Sequence, residues 1–160
     1  MIHFVGAGPG APDLITLRGA RLLESADAII YAGSLVNPAL LSGAKDGCEL
    51  YNSAKMTLNE IIAVMLRVHC AGGAAVRLHT GDPSLYSAIR EQVDLLERDG
   101  VPYDICPGVS SLSSAAAALK AEYTLPGVSQ SVVITRMAGR TPVPEYEDIA
   151  SFAAHGTTMA

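Results

Sequence analysis

The chain opens with the stretch IHFVGAGPGAP, residues 2–12, in which an apolar run ends abruptly in glycines and prolines. The run Ile2–Val5 has the length and apolar character of a buried strand, and Gly6 ends it. In open parallel sheets, ligands bind at the loops that leave the carboxyl ends of the strands. The stretch therefore predicts an α/β fold whose first strand leads into a ligand-binding loop.

Strand-like and helix-like segments alternate along the chain after this opening. Their apolar periodicity predicts three more strands, at 28–31, 75–78 and 102–105, and four helices, at 16–25, 57–70, 84–98 and 110–120. Thr57 and Glu60 match a capping box, and Ser84 is expected to cap the third helix. Because strands separated by helices are joined by right-handed crossovers, we predict a mainly parallel sheet with helices on both faces.

The domain organisation follows from where this pattern stops. Residues 1–120 are predicted to form the N-terminal α/β domain, and residues 121–130, with Pro126 and Gly127 at their centre, a linker. Residues 131–160 supply one strand, one helix and the start of another strand, which is too little for an independent core. We expect them to begin a second α/β domain that is cut short. The alternative is that the strand at 131–135 extends the first sheet.

Composition narrows the classes of function. A net charge of −5, with the basic residues scattered, disfavours a nucleic-acid partner. The apolar runs are much shorter than a membrane span, and no signal peptide is recognisable, so we expect a cytoplasmic protein without a membrane partner. Cys48, Cys70 and Cys106 lack metal-binding or redox spacing, and no histidine cluster accompanies them. Free thiols and no bound metal are therefore expected.

Three glycine- or proline-containing loops follow predicted strands, at Gly6–Pro12, Thr80–Leu85 and Pro107–Ser111. The carboxyl ends of parallel strands meet at one edge of a sheet, so these loops should lie together. Glycine allows the main chain to approach a ligand closely and to offer its N–H and C=O groups. The loops therefore predict a small-molecule site at that edge.

The first loop also matches the dinucleotide fingerprint G-x-G-x-x-A, which makes an NAD-dependent oxidoreductase domain an alternative. Two features argue against that interpretation. Pro9 and Pro12 displace the helix that should follow the loop directly, and its N-terminus is the phosphate-binding element. The acidic residue expected after the second strand is missing, because Asp27 precedes that strand. A cofactor without a pyrophosphate fits better.

Three strings resemble the tetrapyrrole methylase family in their order and spacing: VGAGPGAPDLIT (Val5–Thr16), TGDPSLY (Thr80–Tyr86) and PGVSS (Pro107–Ser111). Within that family, YAGSLV (Tyr31–Val36) and the segment Leu125–Pro144 are similar to the precorrin-4 C(11)-methyltransferases of cobalamin biosynthesis. The resemblance covers essentially the whole chain. It implies an S-adenosylmethionine-dependent methyltransferase, a homodimer, that acts on precorrin-4 or cobalt-precorrin-4. Another ring position of a uroporphyrinogen or precorrin substrate remains an alternative.

The resemblance also implies which residues contact the cofactor, namely Pro9, Thr80, Gly81, Asp82, Leu85, Ser110 and Ser111. Asp82 would place a carboxylate near the cationic sulfonium. The alternative for Asp82 is a structural position at a helix N-terminus, which the helix dipole favours. Ser110 and Ser111 have helix capping as their alternative.

The substrate that the resemblance implies carries many carboxylates, which arginines bind well. Arg136 and Arg140 are the predicted substrate-binding residues, with a solvated loop or a salt bridge to Glu145 or Glu147 as the alternative. No catalytic acid or base is predicted, because the reactivity lies in the sulfonium and the protein aligns the two reactants. His79 is the nearest candidate, and a structural role is the commoner one for such a histidine. A chain that ended at residue 160 would be expected to have little activity.

Overall fold

The computed structural model describes residues 1–139 and 141–160, and the chain forms two compact units, Met1–Ser111 and Leu112–Ala160. The first unit contains one five-stranded sheet, with strands β1 (Ile2–Gly6), β2 (Ala28–Tyr31), β3 (Glu49–Asn52), β4 (Ala75–His79) and β5 (Tyr103–Cys106). The strand order is β3-β2-β4-β1-β5, and every neighbouring pair is parallel. The predicted α/β fold with a mainly parallel sheet is confirmed.

Helices cover both faces of this sheet, because successive side chains of a buried parallel strand point to opposite faces. The helices are α1 (Leu17–Ser25), α2 (Leu58–Cys70) and α3 (Arg90–Arg98). One face buries strand residues against α2 and α3, with Ile2, Phe4, Ile30, Met65 and Leu96 inaccessible to solvent. The other face packs against α1, through Val5, Ile29, Val76, Leu78 and Leu23.

Local signals explain where α1 and α2 begin. The Thr16 hydroxyl accepts a hydrogen bond from Gly19 N at 3.0 Å and caps α1. At α2, the Thr57 hydroxyl accepts from Glu60 N at 3.3 Å, and the Glu60 carboxylate accepts from Thr57 N at 2.7 Å. Both orphan N–H groups are therefore satisfied reciprocally, and the predicted capping box is confirmed.

The strand β3 was absent from the sequence prediction. Three of its four residues are exposed, and it lies at the edge of the sheet beside β2. A short, mostly solvated edge strand has neither the apolar run nor the alternation by which strands are recognised. Its pairing with β2, from Ala28↔Glu49 to Tyr31↔Asn52, is decided by tertiary contact alone.

The predicted start of the third helix at Ser84 is wrong, because α3 begins at Arg90. Tyr86 and Ala88 have φ angles of 55° and 48°, in the left-handed region that an α-helix excludes. The Ser84 hydroxyl and backbone N–H instead donate to the Asp82 carboxylate. The Tyr86 side chain is 62% exposed.

The second unit is smaller and contains a βαβ arrangement of its own. The helix α4 (Ser111–Leu119) begins at the last residue of the first unit, and β6 (Val132–Val133) pairs in parallel with β7 (Thr158–Met159). Between them lies α5 (Ile149–Ala153), whose N-terminus is capped by the Asp148 carboxylate. The pair β6-β7 is a separate sheet, so the strand predicted at 131–135 does not extend the first one. The boundaries expected at residues 120 and 130 stay a prediction.

The described helices are short, and α2 has 13 residues. Over residues 1–139 and 141–160, none of them combines the length and the apolar character needed to cross a bilayer.

Candidate functional site

The loops after β1 and β4 are joined by main-chain hydrogen bonds at the carboxyl edge of the sheet. Ala7 N donates to His79 O at 2.7 Å. Gly8 and Gly81 then exchange a pair of bonds, Gly8 N to Gly81 O at 3.2 Å and Gly81 N to Gly8 O at 2.8 Å. The two loops therefore continue the sheet by one antiparallel bridge and hold each other in place.

The loop after β5 meets the other two at a contact between glycines. A Cβ placed on Gly108 would lie 2.2 Å from Gly81 O and 2.8 Å from Gly6 Cα. A Cβ on Gly6 would lie 2.6 Å from Gly108 Cα. Because real Cβ atoms do not approach other atoms so closely, no side chain fits at either position, and the three main chains touch. The sequence prediction that the three loops lie together is correct.

Asp82 ties two of these loops together through its carboxylate. Oδ2 accepts a hydrogen bond from Gly108 N at 2.8 Å, and Oδ1 accepts from Ser84 N at 2.8 Å. Partial burial acts to raise the pKa of the Asp82 carboxyl, but the hydrogen bonds from Ser84 and Gly108 outweigh it, and its pKa is lowered. The alternative of a helix N-terminal position is wrong, since α3 starts eight residues later.

The remaining predicted cofactor residues belong to the same three loops. Pro9 follows the bridged Gly8, and Thr80 is exposed between His79 and Gly81. Leu85 N donates to Asp82 O at 3.2 Å, which closes the turn of the second loop. A Cβ on Gly81 would lie 3.6 Å from Ser111 N and 3.8 Å from Ser110 Cα. The seven residues thus lie on the three loops that meet at this edge, and their contact with a cofactor stays a prediction.

The first loop does not have the geometry of a dinucleotide site. A short 3₁₀ turn at Pro12–Leu14 intervenes, and α1 begins only at Leu17. The helix N-terminus that would bind a pyrophosphate therefore does not follow the glycines directly. Asp27 lies at the opposite edge of the sheet, where it accepts hydrogen bonds from Lys45 Nζ at 2.6 Å and from Ala74 N at 2.7 Å.

His79 ends β4 beneath these loops and is 5% exposed. Burial, with a smaller contribution from the positive charge of Arg77, lowers the pKa of His79 to about 3. Its ring stacks on Phe4 with centroids 6.1 Å apart. At neutral pH the imidazole is therefore uncharged and is not in the imidazolium form that acts as a general acid, which favours the structural role.

Asn37 belongs to the site and was missed in the sequence. Its Nδ2 donates to Gly10 O at 2.8 Å, and its Oδ1 accepts from Ala39 N at 3.0 Å. The Asn37-Pro38 pair signals a turn or helix start, and Pro38–Gly43 is indeed a 3₁₀ segment. Nothing in the sequence indicates the bond from Asn37 Nδ2 to Gly10 O, which joins residues 27 positions apart in the chain.

The predicted substrate arginines lie in the second unit. The Arg136 guanidinium donates to three carbonyl oxygens of its own loop, those of Met137 at 3.3 Å, Thr141 at 3.1 Å and Pro142 at 3.2 Å. Arg140 lies outside the described residues. No cluster of three or more metal-binding side chains occurs among the residues that the structure describes.

A parallel sheet whose loops touch main chain to main chain at the carboxyl edge has the architecture of the α/β domains that bind small molecules at that edge. The chain belongs to the tetrapyrrole (corrin/porphyrin) methylase family, whose pattern matches residues 1–160. It is 58% identical over 159 residues to a cobalt-precorrin-4 C(11)-methyltransferase of Methanocaldococcus jannaschii, with 99% of this chain and 61% of that protein covered. It is 46% identical to a precorrin-4 C(11)-methyltransferase of Pseudomonas aeruginosa, with 99% and 63% covered.

Solved structures of methyltransferases also match the fold of this chain. The fold matches a cobalt-precorrin-4 methyltransferase of cobalamin biosynthesis with a TM-score of 0.95 and 48% identity, over 99% of this chain and 66% of that one. It also matches a uroporphyrin-III C-methyltransferase of Thermus thermophilus, complexed with S-adenyl homocysteine, with a TM-score of 0.71 and 32% identity, over 91% and 59%. The chain thus spans about three fifths of the length of its curated relatives.

Proposed function

We propose that this chain is the cofactor-binding part of an S-adenosylmethionine-dependent methyltransferase that methylates carbon 11 of precorrin-4 or cobalt-precorrin-4, with S-adenosylhomocysteine as the product. The observation that carries the proposal is the contact of Gly6, Gly81 and Gly108, which leaves a cradle lined by main chain. The names of the relatives support the choice of substrate and of cobalamin biosynthesis.

The residues of the cradle fit this cofactor better than they fit a dinucleotide. A main-chain surface accepts the ribose and methionine parts by hydrogen bonds, and it lacks a helix N-terminus directed at a pyrophosphate. The Asp82 carboxylate adds negative charge beside the cradle while it holds the second and third loops together. When bound, S-adenosylmethionine supplies an electrophilic methyl group on a sulfonium.

The residues proposed to contact the cofactor are Pro9, Thr80, Gly81, Asp82, Leu85, Ser110 and Ser111. Their task is to fix the cofactor so that the acceptor carbon approaches in line, and to exclude water. Arg136 and Arg140 are proposed to bind the substrate carboxylates, and the active protein is proposed to be a cytoplasmic homodimer. No residue is assigned as a general base, in keeping with a buried His79 whose pKa, lowered to about 3, makes it a weak base.

The first test is calorimetric titration of the complete polypeptide that carries this chain. We expect S-adenosylhomocysteine to bind and NAD not to bind. Asp82→Ala should weaken S-adenosylhomocysteine binding about tenfold or more, because it removes charge-assisted hydrogen bonds that hold two loops of the site. The matched control is Asp99→Ala, since the Asp99 carboxylate pairs with Arg98 at the end of α3. Tight binding of NAD alone, or equal affinity in the Asp82 variant, would contradict the proposal.

The second test concerns the acceptor. Methyl transfer from labelled S-adenosylmethionine should occur to precorrin-4 or its cobalt form, and transfer only to uroporphyrinogen III would favour the other ring positions. A uroporphyrinogen-III C-methyltransferase of Bacillus subtilis is 38% identical over 117 residues. Arg140→Ala should raise KM for the tetrapyrrole about tenfold and leave S-adenosylhomocysteine affinity unchanged. An unchanged KM would remove Arg140 from the substrate site.

A further inference from the structure

Asn37, in the loop after β2, uses both ends of its side-chain amide. Oδ1 accepts from Ala39 N at 3.0 Å and caps the 3₁₀ segment that follows. Nδ2 donates to Gly10 O at 2.8 Å, in the middle of the first glycine loop. One half-buried side chain therefore connects the start of a local element to a loop of the proposed cofactor site.

The first loop needs such a contact because its middle is weakly held by its own main chain. Its beginning is fixed by the Gly8–Gly81 bridge, and its end by the bond from Leu14 N to Ala11 O at 3.1 Å. Between them, Pro9 has no N–H to donate. Gly10 has a φ of 128°, and a Cβ placed on it would meet nothing within 4 Å.

The bond to Gly10 O also sets the direction of a neighbouring donor. The chain has no cis peptide bonds among its described residues, so the C=O and N–H of the Gly10–Ala11 peptide point to opposite sides. Fixing the carbonyl toward Asn37 therefore fixes the direction in which Ala11 N–H points. It also limits how Pro9, between Gly8 and Gly10, can move.

We propose that Asn37 is a positioning residue for the cofactor: its amide holds the first loop in the conformation that binds S-adenosylmethionine. The inference rests on the proposed function, because it assigns the first loop to that cofactor. A loop ordered before binding loses less conformational freedom when the ligand arrives, and the affinity is higher for that reason. The effect of Asn37 should therefore fall on cofactor affinity and leave turnover at saturating cofactor nearly unchanged.

The chain offers a matched control in Asn52, at the end of β3. Its Oδ1 accepts from Ala54 N at 3.0 Å and caps a 3₁₀ turn in the same way as Asn37 caps its own. Its amide lies beside the loop after β2, where a Cβ placed on Gly33 would be 2.2 Å from its Nδ2. The two asparagines thus share the capping role and differ in the bond to Gly10.

The experiment compares the complete wild-type protein with its Asn37→Asp and Asn52→Asp variants by calorimetric titration with S-adenosylhomocysteine and by steady-state kinetics. Aspartate keeps the capping acceptor, and at position 37 it replaces the amide donor by an oxygen that repels Gly10 O. We expect the Asn37 variant to show a Kd and a cofactor KM raised about tenfold, with kcat within about twofold of wild type. The Asn52 variant should match wild type in all three values.

Equal Kd in wild type and the Asn37 variant would overturn the inference, and so would a lower kcat with unchanged Kd. Asn37→Ser also keeps a capping oxygen and removes the amide donor, so it gives the same test if the aspartate variant does not fold. The failure of wild-type protein to bind S-adenosylhomocysteine would overturn the proposed function itself. Binding by wild type with no loss in either Asn37 variant would overturn the positioning role alone.

Discussion

The two edges of the five-stranded sheet are built from different interactions. At the amino edge, exposed charged side chains pair, Lys45 with Asp27 at 2.6 Å and Arg67 with Glu49 at 2.7 Å. At the carboxyl edge, the contacts join main chain to main chain, through the Gly8–Gly81 bridge and the approach of Gly108 to Gly81. The amino edge therefore carries exposed ion pairs beside β2 and β3, and the carboxyl edge carries closely packed loops after β1, β4 and β5.

This difference indicates at which positions the protein should tolerate substitutions. Exposed ion pairs contribute little to stability because water solvates both partners well, and their long side chains can rearrange. Main-chain contacts between glycines have no such freedom, since any added atom overlaps a neighbour. We therefore expect substitutions at the carboxyl edge to affect folding and binding, and substitutions at the amino edge to affect neither strongly.

The largest effect is expected from Gly108→Ala. Its Cβ would lie 2.2 Å from Gly81 O, so the second and third loops must separate, and overpacking of this kind destabilises by about 1–3 kcal/mol or more. Urea unfolding should show the loss of stability, and titration should show loss of S-adenosylhomocysteine binding. In the control Gly43→Ala, the new Cβ meets nothing within 4 Å, and the change should stay within about 0.5 kcal/mol. Similar behaviour of the two variants would remove the contrast between packed and open glycines.

An intermediate effect is expected from His79→Gln, and it depends on pH. The folded protein keeps this imidazole neutral with a pKa of about 3, whereas the unfolded chain binds a proton near the ordinary pKa of 6.5. The unfolded state therefore binds more protons below pH 6.5, and the free energy of unfolding falls as the pH is lowered. This group alone should account for about 1–2 kcal/mol of that loss between pH 6.5 and pH 5.

Urea unfolding at several pH values checks this prediction. The Gln variant should lack this part of the pH dependence, so its curve is flatter than that of wild type over the same range. The control is His155→Gln, which replaces an exposed histidine of the second unit by the same residue. Parallel curves for wild type and the His79 variant would mean that the ring is protonated at little cost in the folded state.

The smallest effect is expected at the amino edge, from Arg67→Gln. The Arg67 guanidinium donates two hydrogen bonds to Glu49, at 3.1 and 2.7 Å, and they lower the pKa of the Glu49 carboxyl. Both side chains are about half exposed, so in the variant water forms most of the hydrogen bonds that Arg67 made with Glu49. The midpoint of thermal unfolding should fall only slightly, and S-adenosylhomocysteine affinity should not change. A large fall in the midpoint would show that this edge also contributes substantially to stability.

The sequence was informative wherever a signal is local. The strand Ala28–Tyr31 and the Thr57–Glu60 capping box are found at the predicted residues, because apolar runs and caps depend on neighbours in the chain. The predicted helix start at Ser84 is wrong because Tyr86 and Ala88 adopt left-handed φ angles, which an α-helix excludes, so that α3 begins only at Arg90. Helical periodicity does not reveal such backbone conformations, since neither residue is a glycine.

The position of the candidate site could be predicted from the sequence, whereas the side-chain contacts that hold its loops together could not. Glycine loops after strands of a parallel sheet indicated the right edge, since strand direction alone brings those loops together. The structural roles of Asp82 and Asn37 came only from the structure, because each reaches a loop 26 or 27 residues away in the sequence. Contacts between residues so far apart do not produce a periodic pattern of residue types in the sequence.

By itself, the sequence determined the α/β class, the order of the main elements and the three loops that carry the family's strings, since these depend on short-range patterns of apolar residues, glycine and proline. Only the tertiary structure decided the edge strand β3, the contact of Gly6 with Gly108 and the bond from Asn37 to Gly10. The physical reason is that each of these features is a contact between residues far apart in the chain. The neighbours of these residues in the sequence do not predict such contacts.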